Sequence, residues 1–99
     1  MNSLEYQFLK DLENLPFVDA IWLYGSRARH DENPRSDIDL AIVCPKATPA
    51  QWQEVLALID QADTLLKIDC VRFDELTQAH PLRARIMQEK KVLFERNGE

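Results

Sequence analysis

Gly25-Ser26, then ten residues, then Asp37-Ile38-Asp39, with apolar segments flanking both motifs, is the stretch of this chain whose residue types and spacing can do chemistry. Aspartates at i and i+2 on a strand project to one face. With a rise of about 3.3 Å per residue their Cα atoms lie only ~7 Å apart. The two carboxylates can converge on one divalent cation, and without it they repel. A Gly-Ser turn after a strand leaves backbone N–H groups and a hydroxyl to meet phosphate oxygens, because glycine tolerates close approach and positive φ. A third carboxylate, Asp69, stands inside the apolar run Leu65-Leu66-Lys67-Ile68-Asp69-Cys70-Val71. Such a group must be paired, hydrogen-bonded or metal-bound. If its strand lies beside that of Asp37 and Asp39, three carboxylates meet at one patch. Magnesium takes oxygen ligands and is completed by substrate phosphates when few carboxylates are at hand. The implied substrate is a nucleoside triphosphate. Plainer accounts exist for each part: an ordinary strand-to-helix turn at Gly25, a strand-entry residue at Asp37, an edge charge at Asp39, and a pair of Asp69 with Lys67 or Arg72. The metal-site account explains them together.

The elements that must position these groups are legible from periodicity. Leu4, Phe8, Leu12 and Leu15 fall at helical spacing, with Ser3 as N-cap and Pro16 as stop, so a helix is predicted from Leu4 to Asn14. Val18 to Tyr24 reads as a strand covered on both faces, and Ser26 as the cap of a short helix reaching Arg29 or His30. A second strand follows from Asp37 to Val43. Thr48-Pro49-Ala50-Gln51 is a capping-box start with proline at the first helical position, opening a helix to about Asp63 whose stripe is Trp52, Val55, Leu56 and Ile59. Leu66 to Phe73 is a third strand, Asp74 caps a short turn, Pro81 to Glu89 is helical and Val92 to Phe94 is a final strand. The expected product is an α+β (α/β) domain spanning residues 1–99, a small mixed β-sheet with helices packed on it.

Composition narrows the partners. The 99 residues are 45% hydrophobic, enough for one core, and carry a net charge of −5. A surface of that sign repels a phosphate backbone as a whole, so no direct nucleic-acid binding is expected. No apolar stretch approaches the ~18 residues of a membrane span, and the start lacks a signal pattern, which reads as a cytoplasmic protein. Cys44 and Cys70 sit in apolar strand-like contexts without Cys-x-x-Cys spacing and are expected as free thiols. His30 and His80 lie in polar, turn-like surroundings, and Arg83, Arg85, Lys90 and Lys91 read as a solvated face.

The segments Leu23-Tyr24-Gly25-Ser26-Arg27-Ala28-Arg29, Ser36-Asp37-Ile38-Asp39-Leu40-Ala41-Ile42 and Ile68-Asp69-Cys70-Val71 resemble the minimal nucleotidyltransferases of the DNA polymerase β superfamily, in particular the MNT-domain antitoxins encoded beside HEPN-domain toxins. The late segments Pro81-Leu82-Arg83-Ala84-Arg85-Ile86 and Val92-Leu93-Phe94-Glu95 look like the usual ending of that family. Two positions depart from its pattern: His30 and Lys90 stand where relatives commonly carry glycine. The resemblance implies a nucleotidyltransferase fold, with Asp37 and Asp39 binding the metal of the triphosphate and Asp69 completing a site for a second Mg²⁺ ion and acting as general base. Gly25 and Ser26 would hold phosphates, with Arg27, in preference to Arg29, neutralising the leaving group. It further implies transfer of AMP from ATP to a tyrosine hydroxyl of a partner HEPN toxin within a hetero-oligomer. The alternatives are an antitoxin that neutralises by docking alone, or an enzyme adenylylating a small molecule or RNA end.

Overall fold

The computed structural model describes residues 6–31 and 33–96. Four strands form one sheet in the order β3-β2-β1-β4, with β1 at Ala20–Tyr24, β2 at Ile38–Val43, β3 at Ile68–Arg72 and β4 at Lys91–Glu95. β1 pairs antiparallel with both β2 and β4, whereas β2 and β3 run parallel. A parallel neighbour requires a crossover, and α3 (Pro49–Asp60) supplies it. The mixed sheet expected from the sequence is the one found.

Alternation along the strands divides the core in two. Ile21 and Leu23 of β1 with Ile38, Leu40 and Ile42 of β2 face α1 (Gln7–Glu13) and α3. Ala20, Trp22, Tyr24 and Ala41 face α4 (Pro81–Glu89) and a single 3₁₀ turn at Phe73–Glu75. All five residues of β1 are buried, which is why its sequence is apolar on both faces.

Local chemistry accounts for most element limits. Thr48 and Gln51 make the expected reciprocal cap, the threonine hydroxyl accepting from Gln51 N–H at 3.1 Å and the glutamine carbonyl from Thr48 N–H at 2.9 Å. The helix ends at Asp60, short of the expected Asp63, because the Asp63 carboxylate turns back to accept the N–H groups of Gln7 and Phe8 at 3.1 and 3.2 Å. α1 is thus capped from 55 residues away; Ser3 and Leu4 lie outside the described residues. In α3, Val55 is buried and Trp52, Leu58 and Ile59 pack beside it, so the stripe runs through Leu58 where Leu56 was expected. Asp74 does not cap the 3₁₀ turn. Its carboxylate accepts the backbone N–H of Cys44 at 2.6 Å and so ties that turn to the end of β2.

The two glycine departures behave differently. His30 closes α2 (Ser26–Arg29) in the left-handed conformation, φ 65° and ψ 28°, so the turn keeps a glycine-like shape against the preference of a side chain. Lys90, at φ −59° and ψ 142°, is extended backbone open to any residue. Its ammonium sits 3.8 Å from the Trp22 ring centroid, and the Arg83 guanidinium covers Phe73 at 4.5 Å, so half of the expected solvated face shields the second core. At the far end, Arg96 donates to the carbonyls of Glu13, Leu15 and Val18, fastening the turn between α1 and β1 to the end of β4.

Candidate active site

Asp39 and Asp69 face each other in the parallel register of β2 and β3, and Tyr24 is the antiparallel neighbour of Asp39 in β1. Residues opposite one another across a ladder share a face, and this one is the face that carries Trp22, Tyr24 and α4. Burial, the negative charges of Asp69 and Asp37, and a hydrogen bond shared with Asp69 push the Asp39 carboxyl above its ordinary value, partly offset by Arg85. The Tyr24 phenol, buried and beside Asp39 and Asp69, is pushed up to about 12 and stays protonated.

Asp37 stands one residue before β2, not within it as expected, and adds its charge at the strand entrance. Among the described residues no group of three acidic, histidine or cysteine side chains is gathered so as to hold a metal ion by itself. What the fold does gather is hard oxygen donors whose mutual repulsion a divalent cation would relieve. That is the partial protein shell magnesium uses when phosphates supply the remaining oxygens. The residues present therefore fit such an ion. Lys67 approaches Asp69 at 3.7 Å, but it is 70% exposed and screened by water. Arg72 belongs to the opposite face, donating to the carbonyls of Cys44 and Ala47.

Gly25 links β1 to α2 at φ 78° and ψ −156°, a region open essentially to glycine alone. A Cβ at this position would overlap the Asp39 carboxylate oxygen. Turn and carboxylate are therefore in direct apposition, and glycine is required on two counts. Gly25 is the N-cap residue and Ser26 the first residue of the helix, one place later than expected. Arg27 donates through Nε and Nη2 to the Ser36 carbonyl at 3.2 and 2.9 Å, pinning the loop that delivers Asp37. Arg29 points elsewhere, to Asp31 and Glu89, both at 3.2 Å.

Sequence reading passed over two residues of this neighbourhood. Glu89 Oε1 accepts the Gly25 N–H at 3.2 Å and meets Arg29 Nη1 at 3.2 Å and Arg85 Nε at 3.4 Å. Arg85, read as part of a solvated face, lends its positive charge to Asp39 and Tyr24. The spacing of Arg85 and Glu89 suits a helical pair, but nothing local points to a turn 64 residues upstream.

Residues 7–99 match the family described as Polymerase beta, Nucleotidyltransferase. No curated protein matches the chain by sequence. Among solved structures, a toxin-antitoxin with AMP-PNP is similar at 22% identity and TM-score 0.61, covering 92% of this chain and 70% of that one. A mutant of the toxin-antitoxin MntA-HpeT is similar at 24% identity and TM-score 0.62, covering 92% and 69%. A protein from Sulfolobus solfataricus assigned as a nucleotidyltransferase follows at 18% identity and TM-score 0.60, covering 93% and 78%. These structures share the fold. With the sequence match running over nearly the whole chain, this protein belongs to the polymerase beta nucleotidyltransferase family.

Proposed function

We propose that this protein is an antitoxin that uses ATP and Mg²⁺ to attach AMP to a tyrosine hydroxyl of a partner HEPN toxin. The observation that carries the reading is the in-register pair of Asp39 and Asp69, with Asp39 directly against the Gly25 turn. The toxin-antitoxin structures of the same fold, one of them with AMP-PNP, support the choice of partner and nucleotide.

In this mechanism Gly25 and Ser26 hold the β and γ phosphates. Asp37 and Asp39 would hold the ion of the triphosphate, and Asp69 would complete the site of a second. When bound, magnesium supplies positive charge to the attacking and leaving oxygens. Asp69 takes the proton of the acceptor hydroxyl as its oxygen bonds to the α-phosphorus, and the bond to the departing pyrophosphate breaks. Arg29 and Arg85 stand beside the turn to balance charge on that leaving group, while Arg27 keeps Asp37 in place through Ser36. The reading puts the reaction in the cytoplasm, where ATP is supplied; no helix among the described residues is long and apolar enough to cross a membrane.

Incubation with α-labelled ATP, Mg²⁺ and the toxin encoded beside this chain should label the toxin, and Asp39→Asn or Asp69→Asn should abolish labelling. Normal labelling by either variant sinks the mechanism. Variants that cannot label yet still protect cells would identify docking as the mode of neutralisation, and label appearing only on an RNA end or small molecule would reassign the acceptor.

A further inference from the structure

The anion that holds the Gly25 turn belongs to α4, not to the turn itself. Oε1 of Glu89 gathers three donors: the backbone N–H of Gly25, the guanidinium of Arg29 on α2 and that of Arg85 one helical turn earlier on α4. Its side chain is only 19% exposed, and α4 is seated on the sheet through the fully buried Ile86. The carboxylate is therefore fixed by the core and not by solvent. The turn it grips has a backbone conformation that its own sequence cannot enforce, because glycine roams φ freely. Directly opposite lies Asp39, so close that a Cβ at Gly25 would overlap its carboxylate oxygen, and the depth of the turn is therefore set within narrow limits. Without Glu89, Arg85 would lose its ion-pair partner and Arg29 would keep only the exposed Asp31, leaving both guanidiniums freer to approach Asp39 and Asp69.

From this we infer that Glu89 is the positioning residue of the nucleotide site: it sets the Gly25-Ser26 turn at the depth the triphosphate needs and keeps Arg29 and Arg85 paired beside that turn. The inference rests on the nucleotidyltransferase reading above, but its first test does not. Amide exchange of Gly25, followed by NMR in the nucleotide-free protein, should be slow in the parent and accelerate about tenfold or more in Glu89→Ala, the loss of one hydrogen bond to a charged acceptor. Glu89→Gln keeps an acceptor for the amide and should restore most of the protection. The second test is equilibrium binding of ATP with Mg²⁺ by calorimetry. Glu89→Ala should weaken it about tenfold, with Glu89→Gln close to the parent.

An Ala variant that is folded and binds ATP as tightly as the parent overturns the inference, since Glu89 would then serve stability alone. Tighter binding by both variants overturns it in the opposite sense, making Glu89 a stand-in that phosphate must displace. If the parent itself binds no nucleotide, the functional reading fails. The exchange experiment then decides the hold on Gly25 separately, unchanged protection in Glu89→Ala refuting it.

Discussion

The ionised Asp39 carboxylate opposes the fold that holds it. Its carboxyl titrates above the ordinary value of 3.8 because burial, Asp69 and Asp37 all resist its charge. The folded state therefore holds this proton to higher pH than the unfolded chain does. As pH rises from the ordinary value through the raised one, ionisation has to proceed against those neighbours and stability falls. At neutral pH the metal-free protein should consequently gain from Asp39→Asn. Thermal unfolding in EDTA should show a higher Tm for the variant, and added Mg²⁺ should raise the Tm of the parent but not of the variant. Gly25→Ala acts in the opposite direction. It forces a side chain into a glycine-only region at about 1–3 kcal/mol and against Asp39, so both Tm and the rate of the proposed nucleotidyl transfer should drop, the latter by about a hundredfold if the turn moves by an ångström. The two thiols are pushed up, to about 11 at Cys44 and about 12 at Cys70, chiefly by burial. Neither should react with iodoacetamide in the native protein at pH 8, as mass spectrometry before and after denaturation would reveal.

Elements carried the information that sequence periodicity can express. The strand around Ile38 to Val43, the capping box at Thr48 and the helix from Pro81 were readable because each rests on contacts within a few residues. Thr48→Ala should remove the hydroxyl half of the reciprocal cap and destabilise the protein by about 1 kcal/mol, measurable by urea unfolding. What could not be read were devices whose two halves lie far apart. The Asp63 cap on α1 joins residues 55 and 56 positions apart, and it takes Asp63 out of the helix that periodicity alone would extend to it. These backbone donors hold the Asp63 carboxyl below its ordinary value. Its contribution is complete above the unfolded value and disappears as pH falls through the lower folded one. Asp63→Asn should therefore flatten the acid limb of the stability profile while leaving the proposed nucleotidyl transfer intact. The same blindness hid Glu89. Its helical spacing from Arg85 was visible, its grip on Gly25 was not.

For the whole molecule, the decisive property is that one sheet serves two purposes at once. One face buries Ile21, Leu23, Ile38, Leu40 and Ile42 beneath α1 and α3, while the other carries the acidic pair beside a shorter cover. A site built on paired strands is held more rigidly than one built on loops, and bound nucleotide should stabilise the whole fold. At a hundred times its Kd, ATP with Mg²⁺ should add about 2.7 kcal/mol to unfolding. Thermal shift with and without EDTA would show it, and ATP in EDTA should give almost none of the effect. The grip of Arg96 on the carbonyls of Glu13, Leu15 and Val18 has a practical bearing on handling of this protein. It works as a clasp between the two ends of the described chain, so trimming that stops at Glu95 would open the first helix-to-strand corner even though no strand is shortened. Affinity tags or proteolytic cuts should be placed beyond it.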